Sequence, residues 1–212
     1  MENKTITISY AVTVCNELAE ITNLLNFLQQ NVGENDEIVI QYDITGVTRE
    51  VLDYLDLMDN MHENHTVIGF PLNNDFATFK NNLKVHCTKD YILQLDADEI
   101  PNQHLMDHLS TILQTNPVDL VFVPRINTVD GLTEEHIKKW GWRVDENNWV
   151  NFPDYQTRLY RRTDDVMWMN KVHERITGYN TFSNFPAKEE WCIYHHKTIK
   201  KQEQQNDYYE TL

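Results

Sequence analysis

The chain has 212 residues, 11% of them aromatic, which is enough for one sizeable core and excludes a disordered composition. Its formal net charge of −15 argues against a general binder of phosphate backbones, which would carry a basic face. No segment approaches the roughly 18 apolar residues needed to cross a bilayer, and the opening "MENKTITISY" lacks the apolar core of a signal peptide.

"TITISYAVTV" (5–14) is rich in β-branched residues and predicts a first strand. In "NELAEITNLLNFLQQN" (16–31), Leu18, Ile21, Leu24, Leu25 and Leu28 recur at helical spacing, with Asn16 placed to cap the start. "DEIVIQYD" (36–43) reads as a second strand. "TREVLDYLDLMDNM" (48–61) is a helix with Val51, Leu52, Leu55 and Met58 on one side. A strand at 66–70, a helix at 75–87, a strand at 90–95, a helix at 103–114 and a strand at 118–125 follow. Alternating strands and helices with continuously apolar strands imply a mostly parallel sheet flanked by helices, an α/β fold. Ligands of such sheets bind beyond the carboxyl ends of the strands, where Thr13–Asn16, Asp43 and Asp96 would lie. Past residue 125 the pattern changes. "WGWRVDENNWVNFPDYQTRLYRR" (140–162) suggests loops and short antiparallel strands, 192–196 a last strand and 198–212 a polar helix. No linker is visible, so 1–212 is expected to be one domain, with 1–125 the ligand-binding half and 126–212 a second, irregular half. Cys15, Cys87 and Cys192 are far apart and make no C-x-x-C pair, as in a reduced, cytoplasmic protein.

"YILQLDADEIP" (91–101) concentrates charge where a buried strand should end. In an extended segment Asp96 and Asp98 point to the same side, and a shared hard cation offsets their repulsion. Mg²⁺ or Mn²⁺ prefers a few carboxylates, waters and phosphate oxygens, so the pattern describes a metal–diphosphate site. A calcium loop starting at Asp96 fails, because Ile100 and Pro101 stand where an oxygen ligand and Gly are required. Neither G-x-x-x-x-G-K-[ST] nor G-x-G-x-x-G occurs.

The order of these features resembles the GT-A glycosyltransferases of family 2. "VTVCNE" is similar to the strand-then-N-E opening of that family, and "IVIQYD" to its second strand. "DFATFKNNLKVHCTKDYILQLDADEIP" resembles the run F-A-x-x-[RK]-N, G-D-[YW]-I-L, D-A-D-E. "MNKVHERITGY" resembles V-H-E-x-[IL]-x-G, and "CIYHHKTIKKQEQQNDYY" the closing H-x-K segment. Cys15, Ile44 after Asp43, and Lys80 in place of Arg depart from the common pattern, and no E-D motif follows the central strands.

The resemblance implies an inverting transfer of a sugar from a nucleotide-sugar, UDP-linked, with Mn²⁺ or Mg²⁺. Asp43 would accept from uracil N3–H, with Thr13, Val14, Cys15, Asn16 and Glu17 framing the base. Asp98 would hold the metal, while Asp96 either joins it or holds the ribose. His195 offers a third ligand, since imidazole suits Mn²⁺. Lys80 would meet the diphosphate or the base; Ala97 and Lys197 complete the donor set, with Lys200 and Lys201 beside it. Glu174 of "KVHER" is the first candidate for the base that activates the acceptor hydroxyl, and Asp154 of "NFPDYQTR" the second. Trp140, Trp142 and Trp149 offer faces for a sugar. The acceptor is left open among glycan, lipid-linked sugar, protein and modified nucleic acid, as is the oligomeric state. A nucleotidyltransferase would carry a Gly-rich basic loop after the first strand, which "VTVCNELAE" lacks. An inactive nucleotide-sugar-binding protein would not need Asp96, Asp98 and Glu174.

Overall fold

A computed structural model describes residues 5–210. In chain order the elements begin β1 (Ile8–Val14), α1 (Leu18–Asn31), β2 (Glu37–Asp43), α2 (Arg49–Met61), β3 (His65–Phe70), α3 (Phe76–His86), β4 (Tyr91–Asp96), β5 (Glu99–Pro101) and α4 (Gln103–Thr115). There follow β6 (Leu120–Asp130), α5 (Glu134–Trp140), β7 (Val150–Arg161), β8 (Met167–Met169), β9 (Arg175–Thr177), β10 (Phe182–Asn184), a single 3₁₀ turn at Glu189–Trp191, β11 (Ile193–Thr198) and α6 (Ile199–Glu210). Thr211 and Leu212, the end of the expected last helix, lie outside the described residues.

The main sheet has the order β3-β2-β1-β4-β7-β6-β11-β5, with β10 beside β6. Strands β3, β2, β1 and β4 are mutually parallel. Alternation sorts their side chains. Tyr10, Val12, Val14, Ile38, Ile40, Leu93 and Leu95 share a core with the apolar stripes of α1, α2 and α4. The residues between them, Ala11, Val39 and Ile92, join Ala77 and Leu83 of α3, together with Tyr160 and Trp168, in a second core. The split follows from handedness. The chain winds outward from β1 to β3 with helices on one face, then returns past β1 to β4, and a right-handed crossover must put α3 on the other face. Each fully buried Leu contributes roughly 1.5–3 kcal/mol, and α1 alone buries Leu24, Leu25 and Leu28.

The second half is more regular than its sequence suggests. Strands β6 and β7 form a long antiparallel pair interrupted by two register shifts, and the excursion between them carries α5. Because β4 and β6 are both antiparallel to β7, while β11 is parallel to β6, the carboxyl ends of β1, β2, β4, β6 and β11 lie on one edge. Pro101 lies in β5 although it opposes strand continuation. As the outermost strand, β5 tolerates a missing donor. Asn16 does not cap α1: the helix starts at Leu18 behind Glu17, and no side chain caps it. Among the described residues no helix is long and apolar enough to cross a membrane.

Candidate functional site

The sheet reverses its winding between β1 and β4, where a crevice opens beyond the strand ends. Thr13 and Asp96 are register partners there, and the Thr13 hydroxyl donates to Asp96 Oδ1 at 2.9 Å. Strand β4 stops at Asp96, and Ala97 and Asp98 form a turn. The two aspartates therefore do not share one strand face, contrary to the extended geometry expected for D-x-D, and each meets its own set of cations.

Asp96 is paired with Arg158 Nη2, with Lys80 Nζ 3.8 Å from its other oxygen. Burial raises its pKa, but Arg158, Lys80 and the Thr13 hydroxyl together hold it well below the usual carboxylate range. Its side chain keeps 36% of its surface open to the crevice. Asp98 faces His195 Nε2 at 3.5 Å and accepts from Lys201 at 3.1 Å; that ammonium also reaches Glu20 of α1 at 3.3 Å. Burial opposes ionisation of Asp98, and His195, Lys201 and Lys197 reverse the effect, holding the carboxyl low. Beside it, between α1, the 97–98 turn and the β11–α6 junction, is a pocket of about 220 Å³ lined by Glu20, Asn23, Ala97, Asp98, Lys197 and Lys201, among others.

Beneath the aspartates lies a network that residue-by-residue reading of the sequence missed. Glu99 has no exposed surface. Its Oε1 accepts from Arg125 Nη1 at 2.8 Å and Arg158 Nη2 at 2.6 Å, and its Oε2 accepts from the Asp96 amide at 3.1 Å. The buried Glu completes D-A-D-E, and an apolar strand leading into a third carboxylate was the signal for it. Asp154 takes Arg125 Nε and Nη2 and Asn127 Nδ2 on Oδ2, and Gln156 on Oδ1. Burial raises its pKa, but Arg125 and these donors lower it further. Asn127 in turn meets His195 Nδ1 at 2.7 Å. Burial lowers the His195 pKa, opposed by Asp98.

Lys80 is 3% exposed and does not face the solvent of the crevice. Its ammonium pairs with Glu174 Oε1 at 2.6 Å and lies 4.6 Å from the centre of the Trp168 ring. Of the two candidate bases, Asp154 pairs with Arg125 and Glu174 with Lys80. Asp43 ends β2 but is 6% exposed, with Thr45 and the Leu72 amide donating to its carboxylate. Glu17 folds back so that Oε2 accepts from the amides of Cys15 and Asn16. Burial, with Glu17 and Asp43, pushes the Cys15 thiol up to about 11. Gly46 approaches that sulfur so closely that a Cβ would come within 2.7 Å of it. Val14 lies buried just before this loop. Lys197 donates to Gln205 of α6 at 2.6 Å. Trp140 packs on Trp142, and Trp149 on Phe152, with centroids 4.6 and 4.8 Å apart.

Among the described residues no three His, Cys, Asp or Glu side chains converge as a ready metal cage. Asp98 and His195 do fit a hard ion that keeps waters and ligand phosphate oxygens, because an acceptor-only carboxylate there faces an imidazole nitrogen.

A doubly wound parallel sheet with acidic residues at its reversal point, joined to an antiparallel half, is the GT-A architecture of glycosyltransferases. The family model for glycosyl transferase family 2 matches residues 9–191. The chain belongs to that family. It is similar to Staphylococcus aureus TarS 1–349, with 16% identity over 90% of this chain and 60% of that one, and a TM-score of 0.62. The crystal structure of TarS 1–349 in complex with UDP-GlcNAc gives 17% identity, 91% and 59% coverage, and a TM-score of 0.63. Longer TarS matches over 95% of this chain and 38% of its own length at a TM-score of 0.61 and 16% identity. The chain thus spans three fifths or less of these neighbours. No curated protein matches its sequence.

Proposed function

We propose that the protein transfers a sugar from a UDP-sugar to an acceptor hydroxyl with inversion, using Mn²⁺ or Mg²⁺ held by Asp98 and His195. The observation that carries this reading is Asp98 facing His195 at the mouth of the crevice, beside Asp96 at the β1–β4 reversal. TarS 1–349 has been crystallised with UDP and with UDP-GlcNAc, which supports the same donor class here. When bound, the ion supplies Lewis-acid stabilisation of the departing diphosphate.

The chain's own residues do the rest. Asp96, oriented by Thr13 and Arg158, accepts from the donor ribose. Asp43 accepts from the uracil N3–H, with 13–17 against the ring. Lys197 and Lys201 lie where the diphosphate would leave, and their charge favours it. Glu174 takes the proton of the acceptor hydroxyl. Asp154 suits that role less, because four donors from three side chains hold its carboxylate in a weakly basic state. The acceptor enters from the 126–212 side. The three unpaired thiols support a reducing, cytoplasmic setting.

The test is thermal stabilisation by UDP-, GDP-, CMP- and dTDP-sugars with and without Mn²⁺. A ligand at 100 times its Kd adds about 2.7 kcal/mol. Protection by UDP-sugar with Mn²⁺ is expected to be largest. Stronger protection by GDP-sugar would refute the uracil reading, and protection indifferent to Mn²⁺ would refute the metal.

A further inference from the structure

We propose that helix α3 is the mount of the β8–β9 hairpin, and that Lys80 is a positioning residue that holds Glu174 at the crevice wall rather than a ligand of the donor. The spacing of α3 comes first. Phe76, Lys80 and Lys84 are four residues apart and share one face of the helix, with Asn81 beside Lys80. Each grips a different part of the chain between 163 and 174. The Phe76 amide donates to the Lys171 carbonyl at 2.9 Å. Asn81 exchanges two hydrogen bonds with the Trp168 backbone, at 2.8 and 2.9 Å. Lys84 donates to the carbonyls of Thr163, at 2.6 Å, and of Val166. Lys80 donates to Glu174 Oε1 at 2.6 Å with its ammonium over the Trp168 ring.

Strands β8 and β9 form a sheet of their own, so side chains and not the main ladder set its place beside the crevice. Trp168 and Ile176 anchor its base in the second core. Met169 and Arg175 are register partners, which makes 170–174 the tip. His173 there has φ 54°, in the left-handed region that a residue with a side chain enters at a cost, so its surroundings hold the tip in shape. Lys80 is 3% exposed, and its ammonium also lies 3.8 Å from Asp96 Oδ1. One enclosed cation thus ties the carboxylate at the donor's end of the crevice to the carboxylate proposed as base. Lysine is a point charge without the planar fork of arginine. Its grip on Oε1 leaves Oε2 of Glu174 to take a proton. The consequence for catalysis rests on the reading of Glu174 as base; the mount does not.

The two are separable by experiment. Hydrogen exchange of the ligand-free protein, followed by mass spectrometry, reads the mount. Lys80→Met keeps an unbranched side chain and should speed exchange in 167–177 while 8–14 and 91–96 stay protected. Glu174→Ala breaks the pair from its outer end and should do the same, which answers the case in which Lys80→Met fails to fold. Hydrolysis of UDP-GlcNAc with Mn²⁺, water standing in for the acceptor, reads the consequence. Lys80→Met should lower kcat on the order of 10²-fold with KM unchanged, and should add nothing to the loss in Glu174→Gln. Unchanged exchange in 167–177 overturns the proposal. So does a raised KM in Lys80→Met, or a loss that multiplies with that of Glu174→Gln. Faster exchange beside a Glu174→Gln enzyme of wild-type rate upholds the mount and removes the base reading instead. In a protein that hydrolyses no UDP-GlcNAc, the exchange result alone decides.

Discussion

Glu99→Gln deletes a single buried charge without changing the shape of the side chain. In the wild type one carboxylate oxygen serves Arg125 and Arg158, and the other serves the Asp96 amide. Gln can present only one oxygen. If it faces the guanidinium groups, its NH₂ is set against the Asp96 N–H; if it flips, the NH₂ meets two cations. Either way a buried donor is left facing a donor, which costs about 1–3 kcal/mol. The two arginines keep Asp96 and Asp154 but lose their shared counter-charge. Breaking a buried ion pair from one side typically costs about 3–5 kcal/mol, so about 3 kcal/mol or more is expected against a total stability of about 5–15. For a chain of this size each kcal/mol lowers the melting temperature by about 2–4 °C. Urea and thermal unfolding followed by circular dichroism measure this. The Asp96 backbone is also freed, so UDP-sugar protection should weaken in the same variant. A Glu99→Gln protein within about 1 kcal/mol of wild type, with donor protection intact, would refute the view that Glu99 anchors the crevice.

Asp98→Asn should abolish metal-dependent donor binding while far-UV circular dichroism stays unchanged; unaltered Mn²⁺ dependence in a sugar-transfer assay would sink that assignment. Glu174→Gln should keep donor and metal binding and lower kcat by about 10²-fold or more, with Asp154→Asn doing less. The opposite order in single-turnover assays would exchange the two roles. His65, 7% exposed with neither ring nitrogen hydrogen-bonded, has its pKa pushed down to about 4, by burial first and then by His62, against the pull of Asp59. Its folded pKa lies below its unfolded one, so its contribution is whole above about pH 6.5 and is lost as pH falls toward 4. His65→Phe should remove an acid destabilisation on the order of 3 kcal/mol from that window. Urea titrations at pH 7 and pH 4.5 that give both proteins the same loss would contradict this.

Much of the first half was legible because its physics is local. Nearly continuous burial in 8–14, 37–43 and 91–96, set between helical stripes, leaves few alternatives to a parallel sheet. Asp43 and Asp96 could be placed at strand ends because apolar runs stop there. Strand β7 was obscured, since "VNFPDYQTRLYR" is half polar and holds a proline, and its pairing with β6 shifts register. The signals for α5 were present: Thr133 and His136 form a capping box, and Gly141 closes the helix in the left-handed region at φ 66°. Seven residues with none buried give no periodic stripe to find. The partners of the acidic groups were beyond reach, because Lys80 and Glu174 are 94 positions apart, and Arg158 and Asp96 are 62 apart. Only the folded sheet brings them together.

At and beneath the crevice five acids are matched by five bases. Asp96, Asp98, Glu99, Asp154 and Glu174 face Lys80, Arg125, Arg158, Lys197 and Lys201. The formal charge of −15 therefore belongs to the rest of the molecule. A proposed donor that is itself anionic must cross the repulsive long-range field of that surface before it reaches a locally balanced pocket. Screening acts on the two unequally: at 0.15 M salt the Debye length is about 8 Å, which damps the distant surface charges while contacts inside the crevice persist. Moderate ionic strength should thus quicken the encounter with the nucleotide-sugar, the reverse of the salt response of an enzyme that draws its substrate in through a basic funnel.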